Sequence, residues 1–294
     1  MSLQDFCSIT DQLEDLQRAT LHGVGEPLLN PQLAAMIRHL KKRKVYTLFN
    51  SNGILLDYKR QHDLIDSGLD ELRISLDAAS APGYKKIRSS NEFDRIVGNL
   101  RTFRNLQTGQ SLTRPKLSLW FLGTRENIVE LPEFIKLAAD LDIGEIYLQR
   151  LVYYQDDEGY GVARKDKSLQ DGDDKYQELI QKSQKLAGDL GLRFNASGLG
   201  QPIDSIQSGS PEEMPWSRCY RPQTLIYIKA NGNVLPCCIA PFATVDYASI
   251  ILGNVYESSL KDIWLGTRYK NFRHQLQTAD PPPCCRGCGV LWSL

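Results

Sequence analysis

The sequence predicts an α/β fold, with repeated βα units building a mainly parallel sheet or barrel, followed by a small cysteine-rich α+β module. Three observations predict it. Through the first two-thirds of the chain, helical periodicity alternates with short apolar runs. Residues 195–215, rich in Gly, Ser and Pro, then read as a linker. Finally, six of the seven cysteines follow position 218: Cys219, Cys237, Cys238, Cys284, Cys285 and Cys288. The expected division is therefore 1–194 for the sheet or barrel, 195–215 for the linker and 216–294 for the second module.

The first element is a helix over residues 3–16, with Leu3, Phe6, Ile9, Leu13 and Leu16 on one face and Ser2 and Asp5 available for its capping turn. A short strand from Ala19 to His22 leads into Gly23-Val24-Gly25-Glu26-Pro27. The next helix takes Asn30 as cap and Pro31 as first turn, and buries Leu33, Met36, Ile37 and Leu40. Strand Val45 to Asn50 ends in Ser51-Asn52-Gly53, and a helix runs from Asp57 to a stop at Gly68.

Strand Leu72 to Asp77 alternates apolar Leu72, Ile74 and Leu76 with polar Arg73, Ser75 and Asp77, so helices can cover one face while the other meets something polar. A helical region around Tyr84 to Leu106, a strand Leu117 to Leu122, a helix from Glu126 to Leu141 and a strand Ile146 to Leu151 complete five strands. The polar tract Tyr153 to Asp174 reads as a long loop before a last helix, Lys175 to Leu190.

Composition excludes several function classes. Lys plus Arg and Asp plus Glu both total 35, which leaves no net field to concentrate on nucleic acid or an anionic membrane. The basic run Lys41 to Lys44 falls at a predicted helix end, where cations complement the dipole. No stretch approaches a membrane span and no start resembles a signal peptide, so a cytoplasmic protein is expected. In that compartment clustered cysteines point to metal or redox chemistry rather than to disulfides.

In the second module, Cys219 and Cys237 bracket an expected hairpin, Leu225 to Lys229 and Val234 to Pro236, reversed at Ala230-Asn231-Gly232-Asn233. Cys285 and Cys288 form a CxxC pair. Cys219, Cys237, Cys285 and Cys288 are thus the candidate metal ligands, whereas Cys7, Cys238 and Cys284 are read as small apolar residues. Ligand type leaves zinc and iron-sulfur both open; the wide separation of the first pair leans toward iron-sulfur.

Cys219, twelve residues, Gly232, four residues and Cys237 resemble the opening of the SPASM or Twitch domain, a carrier of auxiliary iron-sulfur clusters. Gly253-Asn254, Ser259-Leu260, Ile263-Trp264 and Arg273 follow in that family's order. Upstream, Gly25-Glu26-Pro27 resembles the GGEP segment of radical S-adenosylmethionine (SAM) enzymes, and Ser51-Asn52-Gly53 and Ile74-Ser75-Leu76-Asp77 resemble their third and fourth barrel strands. The resemblance implies a partial (β/α)6 TIM-like barrel lacking its first strand, with a 4Fe-4S auxiliary cluster in the tail.

The resemblance also implies SAM binding by Gly25, Glu26, Asn52, Ser75, Asp77 and Arg88, the last at a SAM carboxylate contact. Ligands of such barrels sit at C-terminal strand ends, where Glu26, Asn52 and Asp77 fall. A polar Ser75 and Asp77 inside a barrel would be costly unless a polar ligand or water met them; capping or turning is the bland alternative for Asn52 and Asp77.

One departure bears on activity. The family's CxxxCxxC loop, which binds the cluster that reduces SAM, does not occur before position 219. A truncated or mis-assigned start is preferred over a natural loss, because a missing first strand would leave Ala19 to His22 as an uncovered edge.

The expected parent enzyme performs SAM-derived radical chemistry on a peptide or small molecule. It would use the tail cluster as electron conduit and a flavodoxin- or ferredoxin-like donor, while this chain itself would not cleave SAM. The alternative is a non-catalytic iron-sulfur or zinc-binding protein.

Overall fold

The computed structural model describes residues 1–153, 163–169, 174–197, 201–206, 214–286 and 288. Most of the expected loop Tyr153 to Asp174, and much of the expected linker, lie outside the described residues. The chain forms two compact units. One comprises Asp15–Leu151 and Leu169–Gln207; the other comprises Met1–Glu14, Val152–Ser168 and Ser208–Leu294.

The element order begins with α1 (Leu3–Thr10), β1 (Arg18–Thr20), α2 (Leu33–Lys42), β2 (Tyr46–Ser51), α3 (Tyr58–Asp66) and β3 (Glu71–Ser75). It continues with α4 (Ala81–Arg88), α5 (Phe93–Gly109), β4 (Lys116–Gly123), α6 (Leu131–Asp140), β5 (Glu145–Arg150), α7 (Asp174–Asp189) and β6 (Arg193–Ala196). All six strands are parallel and pair in sequence order from β1 to β6. This is the open sheet of a partial barrel.

Strand alternation builds its core. Leu72 and Ile74 of β3, Leu119 and Phe121 of β4, and Ile146 and Leu148 of β5 pack into one cluster with Ile37, Leu64, Ile96, Phe103 and Phe134 from the helices. Each such fully buried side chain contributes roughly 1.5–3 kcal/mol of transfer free energy.

At the N-terminal ends of the strands, Asp70 acts as a rivet. Its carboxylate accepts from the Thr47 backbone N–H at 2.8 Å and pairs with Lys41 at 2.6 Å and Arg114 at 2.5 Å. Burial pushes its pKa up, but these partners outweigh burial and hold it below the usual carboxylate value.

Several boundaries differ from expectation. The first helix stops at Thr10, leaving Leu13 and Leu16 outside, because Thr10 Oγ1 donates back to the Phe6 and Cys7 carbonyls and closes the last turn. Asn30 does not cap α2 directly; its Oδ1 accepts from Gln32 N at 2.9 Å, and the α-helix starts at Leu33. The region 84–106 breaks into α4 and α5, with Ser89 in the left-handed conformation between them.

The sheet also has a sixth strand where the sequence reading has five. Its Arg193↔Glu145 to Ala196↔Leu148 register extends regular structure to residue 196.

The second unit contains α1, α8 (Arg221–Thr224), β7 (Tyr227–Ile228), β8 (Asn233–Leu235), β9 (Gly253–Asn254), α9 (Leu260–Leu265), α10 (Thr267–Gln275) and α11 (Pro283–Arg286). Strands β7, β8 and β9 form an antiparallel sheet in that order. Val234, Leu235, Leu252, Ile263, Tyr269 and Phe272 make its core. Ser2 and Asp5 cap α1 reciprocally, as expected. Within the same unit, Gln12 Oε1 accepts from the Leu260 N–H at 2.9 Å, where α9 begins.

Candidate functional site

At the C-terminal ends of β1 and β2, the chain brings Glu26 and Asn52 into direct contact. Glu26 Oε2 accepts from the Asn52 N–H at 2.8 Å, while Oε1 accepts from Ser51 Oγ at 2.8 Å and from Leu28 N at 3.2 Å. The carboxylate therefore locks the loop after β1 to the end of β2. Asn52 Oδ1 in turn accepts from Ile54 N at 3.0 Å, which is the turn-forming bond weighed as its bland role. Beside them, Gly25 has φ +118°, and a Cβ built there would meet nothing within 4 Å, so its backbone is open to an approaching group.

At the end of β3, Asp77 is buried and has φ 58°. Its Oδ1 accepts from Leu122 N at 2.7 Å and its Oδ2 pairs with Arg88 of α4. Asn127 supports the turn from below, donating to the Asp77 and Leu122 carbonyls at 3.0 and 2.9 Å. Burial pushes the Asp77 carboxyl pKa up, and Arg88 and the Leu122 N–H offset it only in part. The structure thus brings Asp77 and Arg88 together as a pair. Ser51 and Asn127 are members of this network that the sequence did not single out; both are short polar residues near a strand end, a signal shared by many turns.

Ser75 is half-buried and sits opposite Trp120 in the β3–β4 register. It shares its face of the sheet with Arg73 and Glu71 by the period of two. Arg73 Nε donates to Glu71 Oε1 at 2.6 Å, and its guanidinium lies 4.6 Å from the Trp120 ring centroid. Trp120 in turn stacks on Tyr147, with centroids 4.0 Å apart. Part of this polar face is therefore satisfied internally. Asn50 Oδ1 is buried without a hydrogen-bond partner among the described residues. That orphan, with the open Gly25 backbone, fits a polar ligand at this edge of the sheet.

In the second unit, Cys219, Cys237, Cys284, Cys285 and Cys288 line one pocket together with Arg221, Pro222, Trp216 and Phe272. The four expected ligands are brought together, and Cys284 joins them. Cys285 and Cys288 are linked by a turn in which the Cys288 N–H donates to the Cys285 carbonyl at 3.2 Å. The Cys284 and Cys285 sulfurs are 3.8 Å apart.

Burial pushes the Cys237 thiol up to about 12, and burial likewise raises Cys219. Such thiols stay protonated at neutral pH unless a cationic centre draws the proton off. Thiols from three separate segments line one cavity, the residue type that iron-sulfur clusters take as ligands, although among the described residues no three such side chains are already placed to hold one metal ion. Arg221 was missed in the sequence, although it stands two residues after Cys219; its Nη1 lies 3.7 Å from Cys238 Sγ.

The motif residues between the cysteines brace the elements around this pocket. Gly232 has φ +83°, and a Cβ there would lie 2.5 Å from both Asn254 Oδ1 and Tyr256 Cδ2. Asn254 Nδ2 donates to the Asn231 carbonyl at 3.2 Å and to Asn233 Oδ1 at 2.9 Å, which clamps the hairpin turn that separates Cys219 from Cys237. Ser259 caps α9 by accepting from Asp262 N at 3.1 Å. Arg273 stacks 3.9 Å from the Trp264 centroid and 4.2 Å from the Tyr269 centroid, and donates to the carbonyls of Trp264 and pocket-lining Pro222 at 2.8 Å each.

Two family models match this chain. The model of the radical SAM superfamily matches residues 2–138, and that of SPASM, an iron-sulfur cluster-binding domain, matches residues 219–289. The PqqA peptide cyclase of Gluconobacter oxydans is 23% identical over 290 residues, covering 96% of this chain and 72% of that protein. The mycofactocin maturase MftC of Mycolicibacterium smegmatis is 26% identical, covering 98% of this chain and 68% of its own length.

Among solved structures, Streptococcus suis SuiB bound to its precursor peptide SuiA has a TM-score of 0.69 at 18% identity, covering 100% of this chain and 64% of SuiB. The chain thus spans under two-thirds of the length of that structure. Among the described residues, no helix is long and apolar enough to cross a membrane.

Proposed function

This chain belongs to the radical SAM superfamily and ends in a SPASM-type iron-sulfur domain, and from that premise we propose that it works in the radical modification of a peptide. The cofactors of these families are SAM and 4Fe-4S clusters. When bound, SAM and its reducing cluster supply a carbon radical that abstracts a hydrogen atom from substrate. The observation that carries the reading is the convergence of Cys219, Cys237, Cys285 and Cys288 on one pocket, in a chain whose strand ends gather Glu26, Asn52 and Asp77.

The roles we assign follow from these positions. Glu26, with Gly25 and Asn52, holds the SAM amino group; Ser75 accepts a polar contact from the ligand; Asp77, buried and committed to Leu122 and Arg88, contributes by positioning Arg88, which serves the ligand's carboxylate. The four cysteines fill every coordination position of the tail cluster, which leaves no iron open to substrate and suits an electron conduit. A peptide substrate is favoured because the PqqA peptide cyclase is similar to this chain over 290 residues and SuiB, solved with its precursor peptide, shares its fold. A small electron-transfer protein of the flavodoxin or ferredoxin type is the matching donor.

No CxxxCxxC occurs before Cys219, so we further propose that this 294-residue polypeptide alone does not cleave SAM reductively; production of 5'-deoxyadenosine by it would refute that. The test of the main reading is anaerobic reconstitution with iron and sulfide, followed by metal analysis and electron paramagnetic resonance. About four irons per chain are expected, the load of one four-cysteine cluster. Zinc or no metal would instead support a non-catalytic metal-binding protein, and a vacant or non-cysteine position at one iron would remove the conduit role.

A further inference from the structure

The pocket holds one thiol more than a four-iron cluster needs. Cys284 is 5% exposed, lines the same cavity as the four cysteines assigned above, and has its sulfur 3.8 Å from that of Cys285.

We propose that Cys284 is a fifth thiol of the cluster site and that it shares one coordination position with Cys285. The inference rests on the assignment of an iron-sulfur cluster to this pocket. Both residues lie in α11, a four-residue turn that begins at Pro283, so a small rotation of that turn exchanges one sulfur for the other while Cys219 and Cys237, on separate segments, stay in place. In the exchange one Fe–S bond forms as another breaks, the incoming thiol releases a proton and the departing thiolate takes one up. Neither iron nor sulfur changes oxidation state.

This arrangement accounts for a buried cysteine next to a ligand cysteine. Read as packing alone, Cys284 would need only its volume, and alanine or serine would replace it at small cost. Read as a reserve ligand, it keeps the cluster attached when Cys285 is lost or occupied, and it offers two ligand arrangements of different hydrogen bonding. Cluster potential and spectrum respond to such differences.

The test uses the full chain, reconstituted anaerobically, as wild type, Cys284→Ala, Cys285→Ala and the double variant. The readouts are iron and sulfide per chain and the electron paramagnetic resonance spectrum of the reduced cluster. Circular dichroism confirms that each variant is folded, and Cys284→Ser and Cys285→Ser serve as smaller perturbations should an alanine variant unfold.

Each single variant is expected to retain close to the wild-type iron content with a shifted spectrum, and the double variant to lose most of it. The proposal is overturned if Cys285→Ala falls to the level of the double variant while Cys284→Ala keeps an unchanged spectrum, since Cys285 is then the sole ligand. The mirror result, with Cys284 alone required, overturns sharing as well. A wild-type chain that takes up no iron-sulfur cluster defeats the underlying assignment, an outcome distinct from either.

Discussion

Replacing Asp77 separates its backbone role from its charge. In Asp77→Asn, the side chain can still accept from the Leu122 N–H, now bonded at 2.7 Å, and asparagine tolerates the left-handed backbone at φ 58°. Exchanging a charge-assisted bond for a neutral one costs about 1 kcal/mol. The ion pair to Arg88, whose side chain is 40% exposed, adds about 0.2–1 kcal/mol. Relief of the burial penalty on the charge works against both, so a net loss of roughly 0–1.5 kcal/mol is expected.

Asp77→Ala loses the bond altogether, at about 1–3 kcal/mol for the stranded donor, and pays a further 1–2 kcal/mol or so for alanine in the left-handed region. Its loss should therefore be about 2–5 kcal/mol. At roughly 2–4 °C per kcal/mol for a domain of 150–250 residues, the alanine variant melts well below the asparagine variant. The carboxyl adds a pH dependence. Folded Asp77 holds its proton more tightly than the unfolded chain does, so its contribution is fully present below the unfolded pKa and is lost as pH rises through the folded one. Asp77→Asn removes that slope. Thermal melts across acid to neutral pH are the assay; equal melting of the two variants, or an unchanged slope in Asp77→Asn, would refute the reasoning.

Three other outcomes are expected. Glu26→Gln turns one carboxylate oxygen into a donor; with Oε1 committed to Ser51 and Leu28, the new amide faces the Asn52 N–H. It should cost about 2 kcal/mol in a thermal melt and weaken SAM binding in calorimetry. Arg221→Gln removes a positive charge from the thiol pocket, which disfavours the reduced cluster; a redox titration should show the midpoint falling by on the order of 50 mV. Gly232→Ala places a Cβ 2.5 Å from Asn254 and Tyr256 at a positive φ; urea unfolding of the tail should move by more than about 1 kcal/mol, against little change for Gly188→Ala, where a Cβ meets nothing within 4 Å.

Much of this was legible in the sequence because local rules and tertiary packing agreed. The βα rhythm, the Ser2 and Asp5 cap, and the hairpin turn at Gly232 each have a residue whose chemistry forces the geometry. Strand β6 was not legible: Arg193-Phe194-Asn195-Ala196 has no β-branched residue, and it becomes a strand only by pairing with β5 at the sheet edge.

The Asp77–Arg88 pair was half legible. Both residues were singled out as ligand contacts, yet their contact with each other depends on the path of α4, which periodicity does not specify. Cys284 illustrates the opposite case. Its burial fits the reading as a small apolar residue, but sequence cannot tell which side of a short turn faces a cavity, and the structure turns it toward the other thiols.

The bond from Leu260 to Gln12 spans 248 positions, and it has a consequence for synthesis. At about 5–20 residues per second on the ribosome, α1 waits roughly 12–50 s before its partner exists. In that interval the strands from β1 onward can pair with their sequence neighbours, whereas the α1 helix, too short to persist alone, lacks its bond to Leu260. The second unit therefore completes last, by closing a long loop. Protease applied to stalled nascent chains should cut within residues 1–14 until the stretch around Leu260 has emerged, and spare them afterwards.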